Sequence, residues 1–168
     1  MRRKVLQLLV DNTSGVLSRI SGLFSRRGYN IESITAGVTA DPRYTRITIV
    51  TSGDDEILEQ IWKQVAKLED VRDVKTLEPE SSVYRELALI KVKCAPEQRQ
   101  EIITIADTDN FRAKIIDVCK EALIVELTGN QDKIDTFIGL LDNYEILELA
   151  RTGIAGLGRG VENVTYLP

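Results

Sequence analysis

Apolar positions along the first half of the chain alternate between two periods. From Arg3 to Val10, valine and leucine are dense enough for a buried strand, and the run stops at Asp11-Asn12-Thr13-Ser14-Gly15, a cluster of turn and capping residues. Val16, Ile20, Leu23 and Phe24 then recur at helical spacing, Leu17 widens the stripe, and Gly28 supplies the stop after Arg26 and Arg27. Period two returns from Asn30 to Thr39 and, beyond Asp41-Pro42-Arg43, from Tyr44 to Thr51, which predicts a hairpin. Asp54-Asp55-Glu56 places acid where a helix macrodipole favours it, and Ile57, Ile61, Val65 and Leu68 mark the buried face of that second helix. Val71 to Leu77 reads as a closing strand, giving β-α-β-β-α-β, the ferredoxin-like order.

The pattern then restarts. Glu78 to Ser82 is a polar break, so residues 1–77 are expected to form one domain, 78–83 a linker and 84–168 a second domain. Glu86 to Lys93 alternates as a strand, Pro96 opens a helix carrying Ile102, Ile103 and Ala106, and Phe111 to Val118 and Ala122 to Leu127 read as two further strands. A helix with Ile134, Phe137, Ile138 and Leu141 and a strand from Ile146 to Ala150 complete a second β-α-β-β-α-β. The predicted class is α+β, two ferredoxin-like sandwiches in tandem, repeated in topology and not in residues. Open sheets of this kind have an edge strand and a bare face to cover, which predicts dimerisation.

Composition narrows the function classes. The formal net charge of −4 supplies no basic field for a phosphate backbone, so nucleic acid is not an expected partner. The strands also lack the clustered aromatics on which an RNA-binding sheet stacks bases. No apolar run reaches the length of a membrane span, and the Arg2-Arg3-Lys4 start lacks a signal-peptide pattern, so a cytoplasmic protein is expected. The chain contains no histidine, which removes Ser-His and Cys-His nucleophiles and the commonest metal ligand. No catalytic residue and no metal site are predicted. Cys94 and Cys119 fit neither a metal cluster nor a disulfide framework and are read as buried apolar thiols.

One constellation can bind a ligand. Asn12 to Leu17 lies where a strand turns into a helix, so unpaired amides and the positive end of a dipole point outward, where a carboxylate fits. Gly15 allows close approach to the backbone, and Asn12 offers both donor and acceptor, which suits a zwitterion. Gly28-Tyr29-Asn30-Ile31 carries a second asparagine beside an apolar side chain. The two pieces fall at opposite ends of the first helix, so a pocket using both must span two subunits. On these residues alone, a helix start with nothing bound explains Asn12–Leu17, and a plain strand start explains Asn30.

The segment DNTSGVLSRISGLFSRRGYNIESITAG resembles the amino-terminal ACT domain of the small, regulatory subunit of acetolactate synthase. VYRELALIKV, FRAKIIDV and ILELARTGIAGLGRG resemble that family's second domain, so the likeness spans essentially the whole chain. It implies a non-catalytic homodimer that activates a catalytic large subunit and confers feedback inhibition by a branched-chain amino acid, most simply valine. Thiamine diphosphate, magnesium and FAD would belong to that partner and none to this chain. By position, Asn12, Gly15 and Asn30 match the family's effector-binding residues, with Val16, Leu17 and Ile31 as neighbouring contacts. A stand-alone ACT-type amino-acid sensor acting on another enzyme or on transcription is the alternative.

Other features have plainer readings. Gly153 to Gly160 lacks the spacing of a phosphate loop and is expected to be a terminal loop or partner-binding tail. Glu97, Glu101 and Asp107 are expected on a solvated helix face, Arg26-Arg27 at a solvated helix end, and Trp62 in side-chain packing.

Overall fold

A computed structural model describes residues 2–168 and has the α+β class expected from the pattern. The chain forms two compact units, one running to Tyr84 and including Ile154–Pro168, the other Arg85–Gly153.

In the first unit β1 (Arg2–Asp11), α1 (Val16–Arg26), β2 (Ile31–Val38), β3 (Tyr44–Gly53), α2 (Asp55–Ala66) and β4 (Val71–Leu77) follow the predicted order. The sheet is antiparallel with strand order β2-β3-β1-β4, so β2 and β4 are its edges. Leu6, Leu8 and Val10 project from β1 into a core completed by Ile20, Phe24, Ile61 and Val65. Each such side chain contributes roughly 1.5–3 kcal/mol on burial. Asp54 caps α2 by accepting from the Ile57 amide at 3.0 Å. The cap fixes the helix phase so that Leu58, 3% exposed, faces the core and Ile57, 37% exposed, does not. Of the expected stripe, Ile61, Val65 and Leu68 pack into the core as predicted and Ile57 alone gives way, to Leu58.

In the second unit the part of β5 (Ser82–Lys93) from Arg85 onward is followed by α3 (Arg99–Asp107), β6 (Lys114–Val118), β7 (Ala122–Gly129), α4 (Gln131–Leu140) and β8 (Glu145–Arg151), the strands forming a sheet of order β6-β7-β5-β8. Three differences from the sequence reading have local causes. The helix begins at Arg99 and not at Pro96, because a turn closes first, from the Gln98 amide to the Ala95 carbonyl at 3.0 Å. Phe111 precedes its strand and is buried edge-on against Phe137, ring centroids 5.2 Å apart. Cys119 is exposed in the turn between β6 and β7, whereas Cys94 is buried as expected. Near the unit's edge the Glu86 carboxylate, 3% exposed, receives two hydrogen bonds from Arg151 at 2.8 and 3.1 Å, and Arg151 also reaches Asp135 at 2.7 Å. These two carboxylates push the guanidinium further toward its charged form.

The carboxyl-terminal side differs most from expectation. In place of the 84–168 domain, residues from Ile154 onward join the first unit. A single turn of 3-10 helix, Pro79–Ser81, separates β4 from β5, and the start of β5 follows it directly, so little of 78–83 is free linker. The glycine-rich segment is not a loop throughout: Ala155–Gly158 forms β9, which pairs with the start of β5 beside Val83 and Tyr84, within the first unit. Ile154, 2% exposed, joins Val5, Val50 and Leu77 in a second small core on the side of the sheet away from the helices, with Tyr84 against it. A Cβ on Gly156 would meet Leu77 at 3.0 Å and Tyr84 at 3.1 Å, so a residue without one is needed for this approach. Further on, the Arg159 amide donates to the Ser81 carbonyl at 2.7 Å, Lys75 donates to the Asn163 carbonyl and Thr165 to Asp73.

Candidate functional site

The turn from β1 into α1 is held by the hairpin loop beside it. The Asn12 amide donates to the Arg43 carbonyl at 2.8 Å. Its side-chain Nδ2 donates to the Pro42 carbonyl at 2.9 Å, and its Oδ1 accepts from Thr45 Oγ1 at 3.2 Å. Asn12 is thus oriented by β3 and its loop, with its spare donor hydrogen and acceptor lone pair facing solvent. Gly15 is the N-cap of α1, in the left-handed region at φ 86°, and no side chain caps the helix. The Val16 amide reaches the Thr13 carbonyl only at 3.5 Å. First-turn amides have no partner within a helix, so this end presents donors and the positive pole of the helix dipole to whatever lies outside. Val16 is buried beneath, while Leu17, 45% exposed, stands beside the turn as an apolar wall.

Three arginines surround the turn, each matched to a carboxylate. Arg72 grips Asp11 through two hydrogen bonds of 2.7 Å, Arg19 Nε lies 2.5 Å from Asp70, and Arg43 binds Asp41 at 2.6 Å. The Arg72 guanidinium holds the Asp11 carboxyl below the ordinary carboxylate range, and Arg43 does the same for Asp41. With these cations already neutralised, a ligand carboxylate would be held chiefly by backbone amides. Arg19 is the nearest supplement, since its Nη1 lies 3.1 Å from where a Cβ on Gly15 would sit. Arg19 was not singled out from the sequence, although its position four residues after the N-cap was a readable signal.

Asn30 and Ile31 lie elsewhere in the unit. The Asn30 carbonyl accepts from Thr51 Oγ1 at 2.6 Å, and Ile31 is half-buried against the helix-side core. Asp11 is opposite Tyr44 and Ile31 opposite Thr51, so the two candidate pieces flank opposite ends of β3. At about 3.4 Å per residue they are more than ~20 Å apart. Within one chain the structure brings Asn12, Gly15, Val16 and Leu17 together and leaves Asn30 and Ile31 apart from them. Asn30 leads into β2, which begins at Ile31 and is an edge strand with Ile34 and Val38 exposed, able to pair with another strand.

The remaining candidates have structural surroundings. Glu97, Glu101 and Asp107 are exposed, and Glu101 hydrogen-bonds Tyr144, pushing that phenol up to about 12. Arg26 and Arg27 are exposed at the end of α1. Trp62 is 40% exposed on α2, less buried than a packing role predicts. Among the described residues no cluster of acidic or cysteine side chains could hold a metal ion, and no helix is long and apolar enough to cross a membrane.

Comparison with known proteins places these features in context. Residues 6–73 match the family model described as an AHAS small subunit-like ACT domain, and residues 85–160 match that described as the small subunit of acetolactate synthase. A probable acetolactate synthase small subunit of Methanothermobacter thermautotrophicus is 50% identical over 157 residues, covering 93% of this chain and 92% of its own. The acetolactate synthase isozyme 3 small subunit of Escherichia coli is 45% identical over 159 residues, covering 94% and 96%. The crystal structure of the acetolactate synthase small subunit from Thermotoga maritima superposes with a TM-score of 0.86 at 43% identity, covering 96% of this chain and 99% of that one.

Proposed function

From the premise that this chain belongs to the family of acetolactate synthase small subunits, which implies a catalytic large-subunit partner, we propose that it activates that partner and makes it responsive to a branched-chain amino acid, most simply valine. The observation that carries the effector reading is the uncapped amino end of α1 at Gly15, set between the fixed amide of Asn12 and the exposed side chain of Leu17. Amides and dipole receive the carboxylate, Asn12 faces the ammonium, and the aliphatic side chain lies against Leu17. Asn30 and Ile31 close the pocket from a second copy of this chain, for which the exposed edge of β2 is the docking strand. The carboligation chemistry, with thiamine diphosphate, magnesium and FAD, is assigned to the large subunit in the cytoplasm.

Burial of a valine-sized side chain contributes roughly 1.5–3 kcal/mol and charged hydrogen bonds about 1.5–3 each, enough for micromolar-range binding without a deep cavity. The test is calorimetry of valine, leucine and isoleucine against the chain, paired with acetolactate assays with and without the large subunit. Gly15→Asp should weaken effector binding at least about tenfold, because a second carboxylate meets the same donors. The αL backbone at Gly15 tolerates aspartate better than most residues, so activation of the partner should persist. Acetolactate formation by this chain alone, or inhibition unaltered in Gly15→Asp, would overturn the reading. Asn30→His separates the geometries, since an unchanged response would place the pocket within one subunit.

A further inference from the structure

We infer that the first unit carries a second ligand site, a cleft between β4 and residues 157–165, which takes an organic oxyanion: a carboxylate or phosphate group on a partly apolar body. The cleft has a volume of about 700 Å³, within the range of small-molecule sites. It opens on the face of the sheet away from α1 and reaches round the β4 edge to Trp62. It shares no residue with the Asn12–Leu17 turn, and the inference does not rest on the effector reading.

Its floor is a pre-set arginine. Gln7, 4% exposed, lies on β1 between the core residues Leu6 and Leu8 and faces the opposite way. Its Nε2 donates to the Gly156 carbonyl and its Oε1 accepts from Arg46 Nη1 at 3.0 Å. A buried neutral amide therefore aims a half-buried guanidinium into the cleft. Among the described residues, neither Arg46 nor Arg159, the other arginine lining the cleft, has a carboxylate within ion-pair distance. Around the β1–α1 turn every arginine is matched to a carboxylate, so the contrast lies within one small unit. A partly desolvated cation with only a neutral partner is unfavourable, and an oxyanion accepting from its fork offsets that cost.

The rest of the lining sets the ligand class. Lys75 adds positive potential but is engaged by Asp73 at 3.7 Å and by the Asn163 carbonyl. Glu78 is the acidic lining residue and is exposed. Leu77, Leu157 and Val164 contribute apolar surface, which a bare inorganic ion would leave unused. An anionic head on Arg46 and Arg159 with a hydrocarbon body over these side chains satisfies both halves of the cleft.

Trp62 is the chain's one tryptophan and lines this cleft, so its fluorescence reports occupancy. The full chain is titrated with phenylacetate and with phenyl phosphate, amphipathic anions differing in head group. A saturable Trp62 response is expected to at least one, and whichever head group binds more tightly assigns the source as carboxylate or phosphate. Arg159→Gln and Arg46→Gln should each weaken it about tenfold or more, the loss of one charged hydrogen bond. Saturating valine and Gly15→Asp should leave it unchanged. Arg159 is exposed, so its variant keeps the test sound if Arg46→Gln fails to fold. The inference is overturned if neither probe gives a saturable response at millimolar concentration, or if Arg159→Gln binds as the parent does.

Discussion

The two units share one strand order but finish the helix-free face of the sheet in opposite ways. In the first, Val5 on the central strand stands beside Val50 and Leu77, and Ile154 closes over all three. In the second, the central strand carries Lys91 opposite Glu148, an ion pair of 3.0 Å with the glutamate 75% exposed, and Lys93 pairs with Glu145 at 3.5 Å. One face is made tolerable by a cover and the other by charge. The β-α turns differ in backbone conformation. Neither helix is capped by a side chain, but Gly15 opens α1 in the left-handed region at φ 86°, whereas Gln98 opens α3 in the right-handed region and its side chain accepts from the upstream Ala95 amide at 2.9 Å.

Substitutions can break this contrast, beginning with the largest effect. Arg151→Met leaves Glu86 buried without its cation and should destabilise the second unit by about 3–5 kcal/mol, read as an early urea transition with the first unit's transition unmoved. Ile154→Ala should cost about 2–5 kcal/mol in the first unit and raise binding of a hydrophobic dye, because Val5 and Val50 lose their cover. Asp11→Asn sharpens the comparison through pH. Arg72 lowers the Asp11 pKa in the folded state, so the stabilisation is present at neutral pH and is lost as pH falls through that depressed value, below the ordinary ~3.9. The gap between parent and variant, under about 1 kcal/mol for a pair this open to water, should narrow in acid denaturation. Lys91→Met on the charged face should change urea stability by no more than about 0.5 kcal/mol, while raising that face's tendency to associate in sedimentation.

Much of this was legible in the residues. Val16, Ile20, Leu23 and Phe24 were read as one face and are all buried on α1, and the two β-α-β-β-α-β orders follow from spacing alone. The turn at Asn12–Leu17 was legible as a candidate because Gly15 and Asn12 have chemical uses at a helix start. What failed was long-range. The apolar run in β1, interrupted by Gln7, signals burial on both faces, but nothing local says that Ile154 supplies the second cover. Phe111 looked like strand because an apolar residue beside a strand has no periodic mark of its own. Arg46 and Gln7 gave no signal as a pair, since their contact depends on strand register.

Gln7 and Gly156 bond across 149 positions. At the usual rate of about 5–20 residues per second, translation leaves β1 bare on one side for on the order of ten seconds before its cover follows. The strand is sealed long after it is made, and during that interval Val5 and its neighbours Val50 and Leu77 stand open to water.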